Sequence, residues 1–201
     1  MKHKGFTLIE LLVSVGIFTI VMVIALGALL AVAESDRKAQ TLKTITNNLG
    51  FALESMARTI RTGVDYSCNT WSTSPPQDCQ SGGTLITFKD INGVRVGYQR
   101  ATSASQCGQD SEMGVGCIVR SINQGAGAPI TAPEVVVEDL KFYVVGSLRA
   151  PVSGVCSPPP SGTDCMQPRV TITAVGYVQA PGLQKSEFKI QTTVTQRLYD
   201  Q

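Results

Sequence analysis

A chain of 201 residues is long enough for one ordinary domain plus an anchor and too short for two large domains. Its charge is nearly balanced, 17 Lys+Arg against 15 Asp+Glu. The excess of two sits in Lys2 and Lys4, and with no cluster of basic residues elsewhere a nucleic-acid partner is not expected. The single histidine is His3, so the rest of the chain holds no imidazole for a Ser-His-Asp or Cys-His site or for a His-containing zinc centre. Lysine or carboxylate chemistry remains open on composition alone. No catalytic motif and no Gly-x-x-x-x-Gly-Lys-Ser/Thr phosphate loop is present, so neither enzymatic activity nor a cofactor is expected.

The first element is a basic start followed by a long apolar run. From Phe6 to Ala33 the only charge is Glu10, and from Leu11 to Ala33 only Ser14, Gly16, Thr19 and Gly27 interrupt the apolar residues. At about 1.5 Å per residue those residues make a helix of roughly 35 Å, longer than the hydrocarbon core of about 30 Å. Lys2 and Lys4 keep the start on the cytoplasmic side. A secretory signal peptide is one reading, because Ala31-Val32-Ala33 before Glu34 has the Ala-x-Ala form. The run is too long for a typical apolar region of about 7–15 residues, however. A generic single-span anchor is another reading. Neither gives a reason for Glu10, an acidic residue in a segment where a charge is costly and functional by default.

The stretch Gly5-Phe6-Thr7-Leu8-Ile9-Glu10-Leu11-Leu12-Val13 resembles the prepilin leader and helix start of type IV pilins, type II secretion pseudopilins and competence pseudopilins. The resemblance implies cleavage after Gly5 by prepilin peptidase and N-methylation of the new N-terminal residue, Phe6. It also implies that Glu10 neutralises the N-terminal amine of a neighbouring subunit during filament assembly. A buried carboxylate and a buried ammonium are each costly alone and tolerable as a pair. The partners implied are prepilin peptidase, other pilin or pseudopilin subunits, an assembly-platform membrane protein, and the bilayer before assembly. Many major pilins carry a proline partway along this helix, where Gly27 stands here. Glycine loosens a helix by about 1 kcal/mol relative to alanine but keeps its backbone donor.

Glu34-Ser35-Asp36-Arg37-Lys38 marks an exit into water, yet the helical period continues through Leu42, Ile45, Leu49, Leu53, Met56 and Ile60. A single face packed on a sheet fits this stripe, with a coiled-coil seam as the alternative. Gly63 is placed to cap the helix after Arg58 and Arg61, whose charges suit a helix C-terminus. Residues 48–61 resemble the helix end of minor pilins and pseudopilins of the W and J types.

Strands are then expected at Thr84–Phe88, Val94–Arg100, Cys117–Ile122, Val135–Val145, Val170–Val178 and Glu187–Leu198. Ile91-Asn92-Gly93-Val94 reads as a hairpin turn, and the apolar run from Val135 as a bulge or a strand buried on both faces. The order of elements predicts an α+β fold, one long helix laid on an antiparallel sheet, which is also the pilin-like fold.

Cys68, Cys79, Cys107, Cys117, Cys156 and Cys165 all follow the apolar segment, and an even count downstream of an export signal points to disulfides. Six cysteines allow 15 connectivities. Pairing neighbours is favoured here because each pair brackets a turn-rich stretch. A structural zinc site would need closer Cys-x-x-Cys spacing, so no metal is expected there. Asp65, Asp78, Asp90, Asp110, Glu112, Glu134, Glu138, Asp139 and Asp164 offer oxygens for calcium, but without EF-hand spacing. Glu138-Asp139 reads instead as a solvated turn or strand edge. Trp71, the only tryptophan, stands beside Cys68 and either packs over that disulfide or forms an exposed recognition point.

The expected organisation is therefore a leader at 1–5, a membrane-spanning and filament-core helix at 6–33, an amphipathic continuation at 34–62, and an extracytoplasmic β-rich domain at 63–201. The expected function is a minor pilin or pseudopilin, a structural subunit held in the cytoplasmic membrane and then built into a filament. The alternative is a pilin-anchored binding module, an adhesin or a DNA-uptake subunit.

Overall fold

With no proline before Pro75 and an apolar residue every three or four positions, the N-terminal third of the chain forms one helix, α1 (Leu8–Arg61). The structure, a computed structural model, describes residues 5, 7–73, 75–109, 114–147, 167–178 and 185–197. The chain divides into two compact units, Met1–Lys43 and Thr44–Gln201.

The first unit is helix. From Leu8 to Val32 its large apolar side chains are all exposed, from 45% at Met22 to 79% at Leu8, and no described residue buries them. The helix runs unbroken through Gly27. Ser14 Oγ donates to the Leu11 carbonyl at 3.0 Å and Thr19 Oγ1 to the Gly16 carbonyl at 2.8 Å. Both hydroxyls are thus satisfied by the helix backbone and add no unpaired donor to an apolar surround.

In the second unit α1 buries Ile45, Leu49, Ala52, Leu53, Met56, Ala57 and Ile60. Full burial of such aliphatic side chains stabilises by about 1.5–3 kcal/mol each. Across the end of the helix runs an aromatic row. Tyr66 on β1 (Val64–Cys68), Phe88 on β3 (Leu85–Lys89) and Tyr98 on β4 (Arg95–Ala101) have successive ring centroids 5.8 and 6.1 Å apart.

Gly63 has a different reason from the one expected. Its φ lies outside the left-handed region, and a Cβ there would stand 2.4 Å from Phe88 Cδ2. The glycine makes room for a core ring; its N–H donates to the Ile60 carbonyl at 2.9 Å, and further groups seal the helix end. The Tyr66 hydroxyl lies 2.7 Å from both the Ile60 and Gly63 carbonyl oxygens. Gln196 Nε2 donates to the Gly63 carbonyl at 2.7 Å, and the Arg197 N–H to the Arg61 carbonyl at 2.8 Å. These bonds take up carbonyls that every helix leaves open at its C-terminus.

The strands form two antiparallel sheets, not the single sheet expected. One has the order β1-β3-β4-β5-β6, with β5 at Cys117–Ile122 and β6 at Ala128–Pro129. The other has the order β2-β7-β8-β9, with β2 at Cys79–Gly83, β7 at Val135–Val145, β8 at Arg169–Val178 and β9 at Ser186–Thr195. β1, β2 and β6 are absent from the expected set. β9 stops at Thr195 because Gln196 and Arg197 turn their polar groups onto the end of α1; Leu198 lies outside the described residues. β7 carries a bulge between Val137 and Asp139, and Val135, Val136 and Val137 are all buried. The start of β7 faces the other sheet. Arg100 Nε donates to the Val137 carbonyl at 2.6 Å, and the Val137 N–H to the Gly116 carbonyl at 2.8 Å.

Among the described residues two disulfides hold this body. Cys68–Cys79 joins the end of β1 to the start of β2 and so ties one sheet to the other. Cys107–Cys117 joins α2 (Ala104–Cys107) to β5. Inside that second loop the buried Gln109 side chain donates to the Gly116 and Val135 carbonyls at 3.2 and 2.8 Å and accepts from the Gly116 N–H at 2.8 Å. The architecture is α+β and pilin-like, a long N-terminal helix packed on antiparallel sheets.

Candidate functional site: the start of the N-terminal helix

The four N-terminal N–H groups of a helix lack intrahelical acceptors, and α1 supplies them locally. Thr7 stands at the N-cap and Glu10 at the third helical position. Glu10 Oε2 accepts from the Thr7 N–H at 3.0 Å and from the Thr7 hydroxyl at 2.9 Å. The Glu10 N–H in turn donates to Thr7 Oγ1 at 3.3 Å. This is a reciprocal capping box, and the Thr-x-x-Glu spacing in the sequence is its signature. In the sequence Glu10 reads as a costly charge and as the partner of a neighbour's amine; the capping role comes in addition to both.

The arrangement has two chemical consequences. Glu10 sits in the first turn, where the helix dipole favours a negative charge. Its second oxygen, Oε1, has no hydrogen-bond partner among the described residues. One oxygen is thus committed to the chain's own N-cap while the other remains open to a cationic donor.

Gly5 is exposed, and a Cβ there would meet nothing within 4 Å. The fold therefore gives no steric reason for glycine at that position. Phe6 lies outside the described residues. Ala31–Ala33 falls within α1. One turn further on, the Lys38 ammonium lies 2.9 Å from the Glu34 carboxylate, and their hydrogen bond holds that carboxyl below its ordinary range.

The other residues singled out in the sequence are dispersed. Cys68, Cys79, Cys107 and Cys117 are the disulfides described above; Cys156 and Cys165 lie outside the described residues. Asp65 pairs with Lys89 at 3.0 Å. Asp78 accepts the Gly146 and Ser147 N–H groups at 3.2 and 2.7 Å. Asp90 Oδ1 accepts from the Asn92 and Val94 N–H groups at 2.9 and 2.8 Å and so shapes the β3–β4 turn. Asp139 lies 3.8 Å from Lys141, beside the exposed Glu138 at the bulge. Asp110, Glu112 and Asp164 are outside the described residues. Among the described residues no three or more His, Cys, Asp or Glu side chains gather to hold a metal ion. Trp71 is half-buried, and its ring rests on Gly97 of β4.

Residues 1–33 match the family model of the prokaryotic N-terminal methylation motif. No curated protein and no solved structure matches the chain. The one helix long and apolar enough to cross a membrane among the described residues is α1, near the N-terminus. Helix and motif together fit anchoring in the inner membrane before assembly. This motif, carried on a helix whose apolar side chains from Leu8 to Val32 no described residue buries, supports a type IV pilin-like protein and a substrate of prepilin peptidase.

Proposed function

We propose that this protein is a structural assembly subunit, a minor pilin or pseudopilin of the W or J type, and not an enzyme. Cleavage follows Gly5, Phe6 becomes the methylated N-terminus, and the mature subunit waits in the cytoplasmic membrane with its β-rich body on the far side. Its activity is packing. The apolar surface from Leu8 to Val32, which the chain itself leaves exposed, is covered by sister helices in the filament. The observation that carries the reading is the half-committed Glu10 carboxylate. Oε2 is held by Thr7, and Oε1 is left to meet the methylated amine of a neighbour. In a water-poor helix bundle that pairing removes two unpaired charges at once.

The test is a pair of substitutions in the full chain, expressed with its peptidase and sister subunits. Glu10→Val leaves cleavage intact and strongly reduces the amount recovered in sheared filaments. A Gly5 substitution leaves the leader attached. Wild-type incorporation of Glu10→Val would remove the pairing mechanism, and a mature N-terminus at Glu34 would replace the whole reading with a secretory one.

A further inference from the structure

Two features of the second unit are only partly satisfied by the described residues. On α1, Phe51 is 78% exposed, the one large apolar side chain on the outer face of the helix within this unit. At 100° per residue it points opposite the buried Leu49, Leu53 and Ile60. Glu54, one turn along the same face, is exposed and makes no ion pair with the described residues. On β5 the second feature is a shelf. Arg120 and Ile122 alternate onto the side of the sheet that faces α1, since they stand opposite Tyr98 and Val96 of β4, and Thr59 of α1 lies beside the Tyr98 hydroxyl. Ile122 is 46% exposed. Arg120 Nε is buried with no hydrogen-bond partner among the described residues; the guanidinium acts on the Tyr98 hydroxyl, and no carboxylate of the described residues pairs with it.

A partly desolvated guanidinium that no carboxylate of the described residues neutralises is costly, and the group that relieves it best is a carboxylate, which matches its fork of donors. The shelf lies two strands beyond β3 on the helix side, so what it receives is an element laid alongside α1. The occupant therefore needs a carboxylate and an apolar side chain a few ångströms apart on one helical face. Glu54 and Phe51 are such a pair, about 4.5 Å apart in axial rise. Arg120 and Ile122 are about 6.6 Å apart along their strand. We propose that a second copy of this chain docks its Phe51–Glu54 ridge on the Arg120–Ile122 shelf, with Glu54 meeting Arg120 and Phe51 covering Ile122. The contact lies within the β-rich unit and is separate from the apolar segment and Glu10. It deepens the assembly reading and rests on it.

The experiment uses full chains in their membrane, with two differently tagged copies. One carries Phe51→Cys and the other Ile122→Cys, and mild oxidation is followed by a non-reducing gel. A mixed-tag disulfide forms between these two, and not between two copies that both carry Phe51→Cys. Adding Glu54→Arg to the first copy sets two guanidinium groups together and lowers the yield about tenfold. Adding Arg120→Glu to the second copy restores it. Glu54→Arg lies on an exposed face and decides the matter by itself if Arg120→Glu fails to fold. An absent mixed-tag band, or a yield indifferent to Glu54→Arg, overturns the proposal. Glu10→Val in parallel keeps the two ideas apart. Loss of filament incorporation with Glu10→Val, together with an unaltered response at Glu54, removes this interface and leaves the assembly reading standing. Indifference to both removes both.

Discussion

Gly97 and Trp71 are fitted to each other: a Cβ on Gly97 would lie 2.4 Å from Trp71 Cη2 and 2.8 Å from Cζ3. The indole of a polar loop is thereby laid on the middle of β4, and the loop between Cys68 and Cys79 is held down at a point distant from its disulfide. Gly97→Ala pushes the ring off the strand and destabilises by about 1–3 kcal/mol, as overpacking does. Chemical unfolding of the detergent-solubilised full chain, followed by Trp71 fluorescence, reads both the lower midpoint and a red-shifted native signal.

The hydroxyl of Tyr66 closes the end of α1. Tyr66→Phe removes the donor facing the Ile60 and Gly63 carbonyls and costs about 1–2 kcal/mol, with Gln196→Ala adding a comparable loss. Thermal unfolding of the two single variants and the double gives their coupling.

The same tyrosine makes stability depend on alkaline pH. Burial pushes the Tyr66 phenol well above its ordinary value, and burial raises Tyr98 as well, against the smaller opposing effects of Thr59 and Arg120. In the unfolded chain both ionise near pH 10. Their contribution is therefore complete below about pH 10 and is lost as pH rises from there toward the folded-state values. Melting temperatures measured from pH 8 to 11 stay level and then fall, and Tyr66→Phe flattens the fall.

Replacing Cys107 and Cys117 together by alanine reopens a loop whose ends are 10 residues apart, which costs about 2–3 kcal/mol in the chain-entropy model. Reduction of the wild type, which opens Cys68–Cys79 as well, produces a larger shift. Intact mass under non-reducing conditions checks the starting point, with two hydrogens missing for each bridge. Full labelling of all cysteines without reductant would contradict it.

Thr7→Ala dissolves the capping box and costs about 1 kcal/mol at the start of the helix, whereas Thr7→Ser keeps it. Amide exchange in micelles reads this directly, with faster exchange in the first turn of the alanine variant and little change beyond Ser14.

The helix was legible because its signals are local. Ile45, Leu49, Leu53, Met56 and Ile60 repeat at the period of the backbone, and each is buried. The strands with alternating or β-branched residues were legible for the same reason, as at Val135–Val145 and Arg169–Val178. What escaped was either short or decided at a distance. β2, with the sequence Cys-Gln-Ser-Gly-Gly, has no alternation to read, and β6 is two residues with a proline. β1 contains Asp65 at φ +58°, a conformation foreign to strands. The division into two sheets depends on which strand meets which across long stretches of chain, and period-two patterning carries no such information. Gly63 shows the same limit at a single residue. Its place at the helix end suggested a cap, but the ring of Phe88, 25 positions away, is what requires it.

The bond from Gln196 to the Gly63 carbonyl spans 133 positions. It joins the residues just past the end of α1 to the one just after β9, so the end of α1 is not secured until the intervening stretch has been made. Contacts of such separation form slowly, because a long loop must close before anything is gained. The body therefore matures only after residues as far as Gln196 and Arg197 have emerged, and removing those two would leave the C-terminal end of α1 frayed.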